Sequence, residues 1–298
     1  MTVIEVFELY PAAFAAAIFV LGLLVGSFLN VVIHRLPRML EAEWRQQCQE
    51  LLHPDAAPAD QPSRYNLWWP PSTCPHCGHR IRAWENIPVV SYLALRGRCS
   101  GCSAPISARY PLVELATALL SALVAWHFGP GWAAVAALGL TWALVALSVI
   151  DIDHQILPDA ITLPLVWAGL LLSVVGVSLS PDSLLTPAQS IIGAAAGYLS
   201  LWSVYHLFRL LTGKEGMGYG DFKLLAVFGA WLGWTALPVV ILLSSLVGAV
   251  VGIGLILIRG RDRNIPIPFG PYLAAAGFLA LLWREDIIAL YLSWAGLN

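Results

Sequence analysis

Eight long apolar runs, most of them separated by short polar stretches, constrain this chain more than any other feature. They fall near residues 11–33, 112–128, 132–150, 161–179, 188–211, 222–232, 235–258 and 269–283. A hydrocarbon core about 30 Å thick takes roughly 20 apolar residues per helix. A backbone in lipid must also satisfy its own hydrogen bonds, which leaves the helix as the form for such runs. Only 11% of the 298 residues are charged, against roughly 25% in soluble domains. A soluble enzyme, a disordered tail and a secreted disulfide scaffold are thereby excluded. The sequence reads as an all-α polytopic membrane protein with about eight transmembrane helices. The net charge of −2 offers no basic excess for nucleic acid.

The first run follows Glu5 and Glu8 rather than a basic stretch, and no small-residue cleavage site suits it. It is expected to be a retained anchor and not a signal peptide. Orientation follows from the basic residues, which collect in cytoplasmic loops. Nine arginines lie between the first two runs: Arg35, Arg38, Arg45, Arg64, Arg80, Arg82, Arg96, Arg98 and Arg109. Arg209, Lys214 and Lys223 flank the loop after the fifth run, and Arg259, Arg261 and Arg263 follow the seventh. With eight alternating spans, fifteen of the sixteen basic residues share one face and only Arg284 opposes them. That face is expected to be cytoplasmic, with both termini periplasmic.

Three parts follow: a first helix (1–33), a polar cytoplasmic domain (34–109) and a seven-helix core (110–298). Within the polar part, Pro54–Pro62 reads as a linker. Beyond it come Cys74-Pro-His-Cys77 and, after a 21-residue gap, Cys99-Ser-Gly-Cys102. Each C-x2-C turn presents two thiolates, and two such turns complete a tetrahedral sulfur site for zinc. A disulfide is the competing use, but the expected compartment is reducing. Four sulfurs leave no open position for a substrate, so a zinc ion here is structural and its binding supplies folding free energy to a small domain. His76 and His79 are then bystanders, and Cys48 is an unpaired thiol. No H-E-x-x-H sequence occurs, which argues against a zinc protease of that kind.

The third run ends in Ile150-Asp151-Ile152-Asp153-His154, with Asp159 shortly after, and the sixth is introduced by Gly216-Met-Gly218-Tyr-Gly220-Asp221-Phe-Lys223. Acidic groups beside long apolar runs are functional candidates, although helix ends are where charges cost least. For Asp221 the structural competitor is helix capping. Two carboxylates from different helices can share a proton and divide the work of base and acid. Asp221 supplies one; Asp151 or Asp153 supplies the other, since positions two apart differ by about 200° around a helix. Alternatively, Asp151-x-Asp153 could hold Mg²⁺ on a lipid diphosphate, or the chain could be a proton-coupled carrier, for which Glu114 is the one acid inside a run.

Taken together, Gly26-Ser-Phe-Leu-Asn-Val-Val-Ile-His-Arg-Leu-Pro37, the paired cysteine turns, Asp151-Ile-Asp-His, Gly-Met-Gly-Tyr-Gly-Asp221 and Pro266-Ile-Pro-Phe-Gly-Pro271 resemble the bacterial type IV prepilin peptidase family, in order and over nearly the whole chain. The resemblance implies a Gly-x-Gly-Asp membrane aspartyl protease, here Gly218-Tyr219-Gly220-Asp221. Such enzymes sit in the inner membrane and cut the basic leader of prepilins and pseudopilins after a Gly at the cytoplasmic face. They then methylate the new N-terminus with S-adenosylmethionine. It further implies Asp151 and Asp221 as the catalytic pair, with Asp153, Asp159, Lys223, Gly218 and Gly220 in support. Cys74, Cys77, Cys99 and Cys102 would be the zinc ligands. Methylation rests on the resemblance alone. The acidic residues Glu41, Glu43, Glu50, Asp55 and Asp60 could meet a basic leader or simply be solvated.

Overall fold

A computed structural model describes residues 3–53, 65–177, 179, 185–259 and 267–294. The linker 54–62, Arg64, Arg261, Arg263 and Pro266 lie outside the described residues. Ten α-helices are present among the described residues: α1 Val3–Leu9, α2 Pro11–Leu52, α3 Val90–Ala94, α4 Arg109–Phe128, α5 Trp132–His154, α6 Asp159–Val175, α7 Pro187–Thr212, α8 Tyr219–Leu232, α9 Leu237–Arg259 and α10 Gly270–Trp294. No β-strand occurs there beyond two isolated bridges. Among the described residues, five helices are long and apolar enough to cross a membrane: α2, α4, α5, α7 and the 234–254 segment that carries α9. The shorter α6 is apolar as well.

The chain divides into two compact units, Met1–Trp126 and His127–Asn298. In the first, α2 does not stop where its apolar run stops at Ile33. It continues as a polar helix to Leu52, and Pro37 is accommodated within it. The expected boundary at residue 34 is therefore a change of surroundings along one rod and not a break in the backbone. The second apolar run, expected to belong with the core, is α4 and groups with α2. The reason is a small-residue seam. A Cβ on Gly22 would stand 2.7 Å from the Ala118 Cα, and one on Gly26 2.7 Å from the Glu114 Cα. Close backbone approach through glycine is the usual way for helices to associate in lipid. Glu114 is 8% exposed and accepts a 2.8 Å hydrogen bond from the Val89 amide, so the acid weighed for a carrier ties α4 to the segment before α3.

The second unit is built around α8. From Asp221 to Leu232 every residue but Lys223 is buried, as expected of a helix apolar on all sides. At about 21 Å from 14 residues, α8 is shorter than a hydrocarbon core. On α7, a Cβ at Gly193 would collide with the Gly229 carbonyl, and the reverse also holds. Gly197 meets the Leu225 carbonyl in the same way, at 2.6 Å, and Ser190 Oγ donates to the Ala230 carbonyl at 2.7 Å. On α6, Gly169 leaves room for Trp231, whose indole N–H donates to the Leu165 carbonyl at 2.7 Å. Arg284 donates to the Leu232 carbonyl at 2.8 Å, satisfying the C-terminal end of α8. α10 kinks at Trp283, where the eighth apolar run gives way to Arg284 and Glu285.

Candidate active site

α8 begins with Gly218 as its N-cap, and Asp221 sits in the first turn. As the third residue of the helix, Asp221 also interacts with the Gly218 backbone at the N-cap, so part of the capping role weighed for it is present alongside its burial. Gly220 earns its place by close approach: a Cβ there would lie 2.7 Å from the Leu157 Cβ. Leu157 lies between α5 and α6, and its Cδ2 also abuts Gly270. The starts of α8 and α10 thereby converge on the segment after α5. Behind them, Tyr205 of α7 packs against Tyr219 and Phe222, ring centroids 5.3 and 5.6 Å apart.

Asp151 lies in the last turn of α5 and is 6% exposed; Asp221 is 7% exposed. The two carboxylates are within electrostatic reach of each other. Asp153, one of the two candidates on that turn, is exposed. Asp151 Oδ2 accepts a 3.0 Å hydrogen bond from the Gly270 amide at the start of α10. Asp221 Oδ1 is buried without a hydrogen-bond partner, and no other buried side-chain oxygen or nitrogen among the described residues is in that state. Such groups cost free energy and persist where something outside the fold completes them.

Asp159 and Lys223 do not enter this pair. They form an ion pair, with Lys223 Nζ 2.6 and 2.7 Å from the two Asp159 oxygens, joining the first turns of α6 and α8. Lys223 is therefore a brace and not a free phosphate clamp, which removes support from the lipid-diphosphate alternative.

Gly270 is the residue that sequence reasoning passed over. The Pro266–Pro271 motif had been noted, but nothing local to it says that its glycine amide reaches Asp151. A Cβ on Gly270 would stand 2.7 Å from Asp151 Oδ2, so a side chain there would push the carboxylate out of its present position. Gly270→Ala is expected to slow the chemistry of the pair by about 10²-fold, as a displacement near 1 Å does in a preorganised site, while membrane insertion is retained. Turnover of membrane-inserted protein at matched concentration checks this.

The four predicted cysteines also meet. Cys74 and Cys102 sulfurs are 3.9 Å apart, Cys77 and Cys99 sulfurs 4.0 Å, and all four lie within 4.8 Å of one another. A disulfide needs about 2.05 Å, whereas tetrahedral Zn–S bonds of about 2.3 Å put sulfurs near 3.8 Å. The donor set therefore fits zinc. The two turns repeat one backbone pattern. Cys74 N–H donates to the His79 carbonyl and Gly78 N–H to the Cys74 carbonyl; Cys99 pairs likewise with Ala104, and Ser103 with Cys99. Gly78 and Ser103 occupy the left-handed region at φ +70° and +59°, where serine carries a strain that glycine avoids.

His79 binds no sulfur partner site but clasps the turns together. Its Nε2 lies 3.1 Å from Glu85 Oε2 and 3.2 Å from Ser100 Oγ, and Ser100 Oγ donates to Glu85 Oε1 at 2.6 Å. The Arg82 amide first, then the Ser100 hydroxyl and His79, hold the Glu85 carboxyl down to about 2 from an ordinary 4.5. A carboxyl depressed in the fold stabilises it fully above the ordinary value and ceases to do so as pH falls through the depressed one. The destabilisation caused by Glu85→Gln, read by thermal unfolding, is therefore expected to be largest above pH 4.5 and to fade toward pH 2.

Comparison with known proteins places these features in two family models. Residues 20–128 match the bacterial peptidase A24 N-terminal domain, and residues 138–253 match the type IV leader peptidase family. The chain is 58% identical over 297 residues, all of both chains, to a prepilin leader peptidase/N-methyltransferase of Stutzerimonas stutzeri. It is 57% identical to the protein of that name from Pseudomonas aeruginosa over 99% of each chain. For the one from Aeromonas hydrophila the figure is 59% over 95% of each. No solved structure matches.

Proposed function

The chain belongs to the type IV leader peptidase family, and from that premise we propose that Asp151 and Asp221 are the aspartate dyad with which it cleaves the leader of prepilins and pseudopilins. The observation that carries this reading is the unpartnered, buried Asp221 Oδ1 beside a second buried carboxylate on another helix. Such a pair holds one proton between its members and titrates as a unit. One carboxylate takes a proton from a water molecule as its oxygen bonds to the scissile carbonyl carbon. The other delivers its proton to the leaving amine as the C–N bond breaks. The Gly270 amide fixes Asp151, and the Asp159–Lys223 pair fixes α8 against α6.

The protein is an inner-membrane enzyme. The distribution of its basic residues supports a dyad at the cytoplasmic face and both termini in the periplasm. Cleavage at that edge lets water reach a pair that sits at helix ends and not at midplane. Cys74, Cys77, Cys99 and Cys102 hold a zinc ion whose contribution is to fold the module. The second activity is methylation of the new N-terminus, with S-adenosylmethionine as donor. Among the described residues no strand leads through a glycine-rich loop into a helix, the usual nucleotide cradle, so no residue is assigned to the donor and no step is routed through it.

Purified protein incubated with a prepilin, with and without S-adenosylmethionine and read by mass, tests both activities at once. Loss of the leader in both samples, with one added methyl group only when the donor is present, is the expected result. Turnover of a lipid diphosphate that needs Mg²⁺, with prepilins untouched, overturns the reading. In the same assay Asp153→Ala is expected to cleave near the parent rate and Asp151→Ala to lose cleavage, because only Asp151 is buried beside Asp221.

A further inference from the structure

The turn ahead of the first cysteine pair carries two tryptophans in a place that points at lipid. Trp68 is 80% exposed and Trp69 56%. Yet the Trp68 ring stacks on Phe28 of α2, with centroids 5.7 Å apart and planes at 27°. Phe28 continues a stripe with Val20 and Leu24, all apolar and all exposed, while Gly22, Gly26, Leu29 and Ile33 on the other side are buried. An exposed apolar stripe on a membrane-crossing helix faces acyl chains. Phe28 precedes Ile33, the end of the apolar run, by five residues, or about 7.5 Å along the axis. Trp68 is thus held at the depth where the span meets the headgroups.

The turn is also built to sit there. Backbone polar groups facing lipid cost several kcal/mol each when unpaired, and this turn pairs most of its own. Asn66 N–H donates to the Trp69 carbonyl at 2.8 Å. Asn66 Oδ1 accepts from the Trp68 and Trp69 amides at 2.9 and 2.7 Å. The Asn66 and Pro70 carbonyls accept from Arg35, at 2.9 and 2.6 Å, and Pro70 and Pro71 have no N–H to satisfy. Arg35 is itself 7% exposed, which is unusual for a cation at the first polar turn beyond a span unless it has this work. Indole rings favour such boundaries, with an apolar body and one polar N–H.

We propose that the 66–70 turn is an interfacial anchor that seats Trp68 and Trp69 between the headgroups and acyl chains of a phospholipid leaflet and so docks the zinc module on the bilayer. The lipid is chosen over a protein partner because the turn continues a lipid-facing stripe of α2. The test places the photoreactive residue benzoylphenylalanine at position 68 of the full-length chain in native membranes, with Gln47, exposed on the polar part of α2, as the reference position. Irradiation is expected to yield a phospholipid adduct at 68 and none at 47, resolved by mass. An adduct of 68 with a protein, no lipid adduct at 68, or equal lipid adducts at both positions overturns the proposal. Zinc content reports whether the substituted module is folded. Should the change at 68 disturb it, Trp69 takes the same residue and the same outcomes apply.

Discussion

An Asp221→Asn variant is expected to insert normally and to lose prepilin cleavage by about 10³-fold or more, the scale of removing an acid–base group from a reaction centre. The change keeps size and shape, and the amide oxygen can still accept from the Gly218 backbone as the carboxylate does. What it removes is the ability to exchange a proton with Asp151. The structure also argues that folding will tolerate the replacement. Oδ1 is buried and unpartnered, so a neutral amide relieves the cost of a buried charge. Greater thermal stability combined with lost turnover is the signature of a group kept for chemistry against its effect on the fold. Cleavage near the parent rate would sink the dyad.

The second large effect concerns the sulfur cluster. Cys74→Ser with Cys102→Ser is expected to drop bound zinc from one atom per chain to none and to open the 65–108 segment to protease. The chain should remain in the membrane, since the apolar runs are untouched. Structural zinc contributes on the order of 10–16 kcal/mol in small peptides, more than the roughly 3–5 kcal/mol of net stability that a core of this size supplies. Around it, Ala83–Asn86 and Val90–Ala94 are one-turn elements with no buried residue. The His79–Glu85–Ser100 clasp is polar and partly exposed and cannot carry the module alone. Metal analysis and limited proteolysis of the full chain read both effects, and a folded, protease-resistant segment without zinc refutes the structural role.

The helices and the cysteine turns were legible in the sequence because each depends on signals local to a few residues. Apolar runs announce themselves, and C-x2-C fixes two thiolates on one turn whatever surrounds it. The continuation of α2 through Pro37 to Leu52 was not legible, since a change from apolar to polar residues looks the same whether or not the helix stops. The choice between Asp151 and Asp153 was narrowed by helix geometry to one of two, but which one faces inward depends on how α5 is rotated against its neighbours. Gly270 was out of reach for a related reason: its amide meets a carboxylate 119 residues earlier in the chain. The pairing of α4 with α2 rests on Gly22 and Gly26, ordinary residues in a span until a partner is placed against them.

The glycine seam between α7 and α8 bears on motion as well as on packing. With the Gly193 and Gly229 backbones touching, a slide by one residue would drive the Ala194 or Ala230 methyl toward a facing carbonyl. A rotation would break the bond from Ser190 to the Ala230 carbonyl. Cores packed this tightly do not deform gradually. Asp221 is therefore carried on a helix locked to its neighbour. Asp151 sits instead in the last turn of α5, where its Oδ2 accepts from the first amide of α10. On the proposed dyad, any adjustment that admits substrate falls to α5 and α10, with Asp221 as the fixed point of reference.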